Sequence, residues 1–278
     1  MESIEPVVRN LKFEIDASVP RHWHGGRRAV TAYFDALSVF FPAGERFFMT
    51  SVRAHQTKVA DPQLLRDVRA FCGQEGMHGR EHRRYNELLA AQGYPVVAME
   101  WRVERLLRFV SRVTTRRMQL AVTCALEHFT ALMAQMLLRD ARALDGAHPA
   151  MAALWRWHAA EENEHKSVAY DVYLAAGGSY LERVAVMAAA SVVFWLKVLE
   201  HQARMMRVDG TLFSLAEWRS LARFLWVEPG AMRGVARHYF AYYRPGFHPN
   251  DIDCTELLDA WKKELEISET YAFAKGAS

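Results

Sequence analysis

Apolar positions along this chain return every three to four residues in a series of long segments, the spacing that lays one stripe of a helix against a core. The first covers residues 27–58. Pro42 and Gly44 interrupt it, so a helix bent just before Glu45 is expected there. Asp61-Pro62 reads as an N-cap followed by proline at the first helical position, and the helix it opens should run to Ala91, with Gly93 and Pro95 beyond its end. A third periodic segment covers 99–144 and stops at Asp145-Gly146; a fourth is opened by Pro149 and ends at Gly177-Gly178. Each is about 25 residues or longer, as bundle helices are. Accessory helices are expected at 180–208, 213–226, 231–243 and 253–266, separated by Asp209-Gly210, Pro229-Gly230 and Arg244-Pro245-Gly246. No stretch alternates apolar and polar over a useful length, so the class is all-α.

Composition narrows the picture. With 278 residues, 51% of them hydrophobic, the chain can bury a large core, and its nine prolines and fifteen glycines are not gathered into a linker. A single domain over 1–278 is expected, with a core bundle at 27–176 and accessory helices at 180–266. The formal net charge is +3, but basic and acidic residues are interspersed, which argues against nucleic acid as a partner. Cys72, Cys124 and Cys254 are odd in number and far apart, with no C-x-x-C spacing, which points to a reducing, cytoplasmic setting and to buried thiols. Charged residues from Glu2 to Asp16 leave no apolar core for a signal peptide. The most apolar run, 184–196, closes at Lys197 and falls short of the ~20 residues that a bilayer requires, so no transmembrane segment is expected. The helix from residue 180 is expected to cover one side of the bundle or to form a homodimer contact. His22 and His24 read as surface residues, and His238, His248, Asp251 and Asp253 as structural or exposed.

The chemistry lies in two helical stretches. In His158-Ala159-Ala160-Glu161-Glu162-Asn163-Glu164-His165, the side chains of His158, Glu162 and His165 fall within about 60° of one another on a helix. Glu75, His78 and His82 repeat the pattern on the second long helix. Two Glu-x-x-His pairs on separate helices, with one further carboxylate helix for each, make up the ligand set of dinuclear carboxylate bundles. Glu45 and Glu127 stand where those carboxylates are needed, so the order Glu45, Glu75-x-x-His78, Glu127, Glu162-x-x-His165 runs once through a complete set. Either His158 or His82 would add an imidazole. Gln74 and Glu161, each just before a ligand Glu, are candidates to reach the opposite helix's His and hold its ring.

The motifs Phe71-x-x-Gln74-Glu75-x-x-His78-x-x-x-His82-x-x-x-Asn86 and His158-x-x-Glu161-Glu162-x-x-His165-Lys166-x-x-x-Tyr170-Asp171 resemble a bacterial family named "predicted metal-dependent hydrolase". That resemblance, over about residues 20–265, implies a ferritin-like four-helix bundle with a dinuclear metal site. The His-x-x-x-Glu-x-x-His spacing at His158, Glu162 and His165 is also similar to 4-aminobenzoate N-oxygenase type di-iron enzymes, in which the additional His is a ligand; His82 departs from that pattern.

Mixed carboxylate and imidazole ligands suit two Fe ions, with Mn/Fe or Zn as alternatives. The leading expectation is an O2-dependent oxygenase or oxidase of a small organic substrate, served by an electron donor. The alternative is a hydrolase using a metal-bridging hydroxide, and a non-catalytic iron-binding bundle comes third.

Overall fold

In the computed structural model, which describes residues 4–276 and the side chains through Glu266, the periodic segments are helical. An isolated bridge between His24 and Ala147 is the only strand-like pairing among the described residues, so the protein is all-α.

Three of the four long segments are divided. The first forms α1 (Arg28–Ser38) and α2 (Phe41–Arg53). Pro42 lies in the first turn of α2, where its missing N–H costs nothing, so it starts a helix and does not bend one. Asp61 caps α3 (Pro62–Ala91) by accepting from the Gln63 N–H at 2.9 Å. The third segment forms α4 (Val96–Val113) and α5 (Arg116–Arg139), divided where the Thr115 hydroxyl caps α5 through the Met118 N–H. The fourth forms α6 (Pro149–His165) and α7 (Val168–Ala175). The accessory helices are α8 (Tyr180–Val208), α9 (Leu215–Trp226), α10 (Val235–Ala241) and α11 (Thr255–Gly276). Of the expected single domain, positions 1–3 and 277–278 lie outside the described residues.

Helix α2 packs on α3, α3 on α6, α6 on α5 and α5 on α2, which closes a ring of four. Two apolar clusters plug this ring: one holds Trp23, Phe34, Tyr85, Trp155 and Trp157, the other Phe71, Leu120, Phe129 and Tyr173. Each such side chain contributes about 1.5–3 kcal/mol on burial. Outside the ring, α8 lies on α1 and α5, and α4 lies on α2 and α3. All three cysteines are buried and unpaired.

Two expectations change. His24 is fully buried; its Nε2 bonds the Ala143 carbonyl at 2.9 Å, which ties the N-terminal segment to the short turn after α5. By length and composition, α5 and α8 are each apolar enough to cross a membrane. The apolar stretch of α5 is 67% buried in the fold, while that of α8 is only 22% buried. Counting the uninterrupted run alone understated α8, because Lys197 and Glu200 interrupt a longer apolar stretch.

Candidate metal centre

The four ring helices each present acid or imidazole groups to the same interior point: α2 gives Glu45, α3 Glu75 and His78, α5 Glu127, and α6 His158, Glu162 and His165. Offsets of three and four residues put the α3 and α6 groups on single helix faces. All seven are buried, none more than 3% exposed. Ligand atoms of Glu45, His78 and His158 lie within 4.8 Å of one another, as do those of Glu75, His78 and Glu162, and those of Glu75, Glu127 and His165.

Hydrogen bonds behind the cluster fix where each imidazole carries its proton. Gln74 donates through Nε2 to Glu164 and to the Val7 carbonyl, so its Oε1 accepts from His165 Nδ1 at 2.9 Å. The other nitrogen of His165, Nε2, is therefore bare, and it faces Glu75 Oε1 at 3.3 Å and Glu127 Oε2 at 3.4 Å. His78 donates through Nε2 to Glu161 Oε2 at 3.0 Å, leaving Nδ1 toward Glu162 at 3.7 Å. For His158 the chain is longer. Asn86 donates to Glu100, so its Oδ1 accepts from the Ser38 hydroxyl; Ser38 then accepts from His82 Nδ1, and His82 Nε2 accepts from His158 Nδ1 at 2.7 Å. His158 Nε2 is thus bare as well, 2.9 Å from Glu162 Oε1.

Three imidazole lone pairs consequently point at carboxylate oxygens, acceptor against acceptor. Both oxygens of Glu45, Glu75 and Glu127, together with Glu162 Oε2, His78 Nδ1 and His165 Nε2, have no hydrogen-bond partner. Each such buried group costs about 1–3 kcal/mol if left unsatisfied, and more when charged. Metal cations placed among these atoms would satisfy all of them, so the donor set fits a metal.

The protein alone copes poorly with this density of charge. Burial and the neighbouring carboxylates push Glu45 and Glu75 well above the usual range, and burial takes Glu127 to about 7. Burial works to lower His165, but without a metal the acids Glu127 and Glu162 outweigh it and raise it to about 10, so a proton would take the Nε2 position that a metal cation would otherwise fill. Burial also opposes ionisation of Glu162, yet His158 and His165 hold it well below the usual range.

His82, held open from the sequence as the extra imidazole, stands one layer back. Both its nitrogens are engaged, to Ser38 and to His158, so it orients His158 and does not face the cluster. Glu161 and Gln74 do cross to the opposite helix's His.

Sequence reasoning missed the partners behind them. Arg9, on the N-terminal segment, reaches Glu161 at 3.1 Å and grips Glu164 with both terminal nitrogens at 2.9 and 2.8 Å; Trp157 donates to Glu161 at 2.8 Å. Glu164, three residues beyond Glu161, was the one signal available. Gly79 was missed too: a Cβ there would lie 2.8 Å from Glu45 Oε2, so only glycine lets that carboxylate pass α3. Nothing in the sequence marked Ser38.

A cavity of about 50 Å³ adjoins the cluster, bounded by Tyr33, Phe34, Phe41 and Trp155 with His158 and Glu162 in its wall. No curated protein and no solved structure gives a significant match to the chain. A family model described as "Predicted metal-dependent hydrolase" matches residues 7–253, a span that holds Arg9 and every residue of the cluster, and the chain belongs to that family.

Proposed function

We propose that this protein is a hydrolase whose two metal ions are held by Glu45, Glu75, His78, Glu127, His158, Glu162 and His165. The observation that carries this reading is the proton arrangement: three imidazoles commit their N–H groups outward and turn bare nitrogens onto four buried carboxylates. Seven donors exceed the octahedral complement of one ion, which favours a pair. The order of ligands around the four helices follows that of ferritin-like dinuclear bundles. That likeness concerns arrangement and not reaction. The family description supports the hydrolytic reading, which the sequence placed second, over the oxidative one.

When bound, such a metal pair supplies Lewis acidity and lowers the pKa of water, the chemistry that ester, amide or phosphoester hydrolysis needs. The protein's own residues do the rest. Glu161 and Gln74 fix the rings of His78 and His165 and raise their basicity, while Arg9 holds Glu161 and Glu164 in place. The His158–His82–Ser38–Asn86 chain keeps a proton on His158 Nδ1 and away from the cluster. Phe41, whose ring centroid is 4.4 Å from that of His158, and Trp155 keep bulk water out.

The test is turnover of a panel of ester, amide and phosphoester substrates by the metal-loaded protein. Chelation should abolish hydrolysis, and metal return should restore it. Absence of turnover across all three classes with stoichiometric metal would count against the reading. A second reading, O2-dependent oxidation at Fe or Mn, is favoured by the mixed carboxylate and imidazole donors and by the aromatic cavity wall. Bound iron, a visible-region change when the reduced protein meets O2, and no hydrolysis would select it.

A further inference from the structure

The cavity at His158 and Glu162 encloses only about 50 Å³, room for a few water-sized groups, so a substrate of more than a few atoms must be held mainly outside it. A second cavity of about 450 Å³, within the usual range of small-molecule sites, lies on its outer side between α8, α9 and α10. The two share part of their lining: Tyr33 of α1, Leu225 of α9 and Met232, in the turn before α10, border both. At the other end the rim carries Leu199, Trp226 and Phe240, each more than half exposed. The larger cavity therefore leads from the surface inward to residues that wall the metal cluster.

Among the described residues, no acid, base or imidazole lines this cavity, so a charged ligand would lose its water there without gaining a partner. Most of its polar groups are engaged already. The Ser191 hydroxyl donates to the Met187 carbonyl at 2.6 Å and lies 2.9 Å from that of Tyr239, which lies 2.7 Å from that of Tyr243. Tyr33 donates to the Met133 sulfur at 3.6 Å. Gln202 differs: it is 1% exposed, its Nε2 donates to the Ala29 carbonyl at 2.9 Å, and its Oε1 has no hydrogen-bond partner among the described residues. A buried acceptor left in this state is destabilising, and a donor on a bound molecule would satisfy it.

We propose that this cavity is the substrate pocket of the metal site and takes an uncharged, mainly apolar ester or amide. An N–H or O–H of that molecule donates to Gln202 Oε1, and its scissile group passes between Tyr33, Leu225 and Met232 toward His158 and Glu162. Phosphoesters, which carry charge, are disfavoured by the same lining. Occupancy of the cavity depends only on the cavity; that water is then added across the ester or amide bond, giving an acid and an alcohol or amine, rests on the function proposed above. A second copy of the chain docked on the rim would cover the mouth but leave the interior, with Gln202, unfilled.

N-Benzylacetamide should bind the metal-loaded protein saturably, and N-benzyl-N-methylacetamide, which has no N–H, about 3–10-fold more weakly, the weight of one hydrogen bond. In Gln202→Met that difference should disappear. Ala236→Trp, which fills the pocket from α10, should abolish binding, whereas Val193→Trp, in a separate cleft between α4 and α8, should leave it unchanged, with metal content in both variants as the control for folding. Any ester or amide turnover shown by the wild type should be lost in Ala236→Trp as well. The metal-poor Glu75→Ala protein should still bind the probe, and retained binding without turnover would count against the hydrolase reading alone. No saturable binding, equal binding of the two amides by the wild type, loss of binding in Val193→Trp but not in Ala236→Trp, or a dimer whose contact buries the rim would each overturn the proposal.

Discussion

Gly79 gives the sharpest test of how closely the cluster is built. Gly79→Ala should leave α3 as stable or more so, since alanine is favoured over glycine in a helix interior by about 1 kcal/mol. Yet it drives a Cβ into Glu45 and should lower metal content, a split that metal analysis and thermal melting of one sample would resolve. Around His158 the expectations are graded. His158→Ala should retain most of the metal, because six donors remain, but lose turnover; His82→Ala, which acts only by freeing the His158 ring, should cost no more metal than His158→Ala and less turnover. A larger metal loss from His82→Ala than from His158→Ala would place His82 among the ligands. Apart from the metal, buried Asp35 accepts from Trp23 and Tyr85 through one oxygen while the other has no partner, and burial raises it to about 7. The folded state therefore holds a proton that the unfolded chain releases near pH 4, and the stabilisation, up to about 4 kcal/mol, is lost as pH rises through about 7. Asp35→Asn should melt above the wild type at about pH 8, and the difference should shrink steadily toward about pH 4; a difference unchanged between the two would contradict this. The ligand residues were legible because spacing along one helix is a sequence property. Arg9, Ser38 and Gly79 were not, because their roles exist only where segments distant in the chain meet.

At the scale of elements, the 3.6-residue period located nearly every helix, and Pro42 marked an interruption in the first long segment, but the breaks in the third and fourth segments could not be seen. The breaks at Thr114-Thr115 and Lys166-Ser167 contain no glycine or proline, and apolar periodicity continues through them. They are set by packing: α4 must leave the ring for α5 to enter it, and α7 must turn after His165 has reached the cluster. The N-terminal segment crosses α3 and α6, with Val8 lying over Gly73 and Arg9 over Glu161 and Glu164. Removing residues 1–13 should leave the helices formed but reduce metal affinity by about 10–100-fold, the range for groups that support ligands from behind. Circular dichroism together with metal titration would show it. Unchanged affinity would mean that the segment only covers surface.

For the whole molecule, the ring of four helices encloses a charge cluster that the protein does not neutralise by itself, while the outer helices α8, α9 and α10 enclose a mainly apolar cavity that shares residues with the wall beside it. Buried carboxylates at this density are destabilising unless cations accompany them, so the central claim is that metal is part of the folded protein. Elemental analysis of the purified chain beside Glu75→Ala and Glu162→Ala tests it most directly. The account predicts about two transition-metal ions per chain in the wild type and loss of most of that metal in both variants, with helical content retained. A wild-type protein that takes up no stoichiometric metal, or variants that keep the full complement, would contradict it.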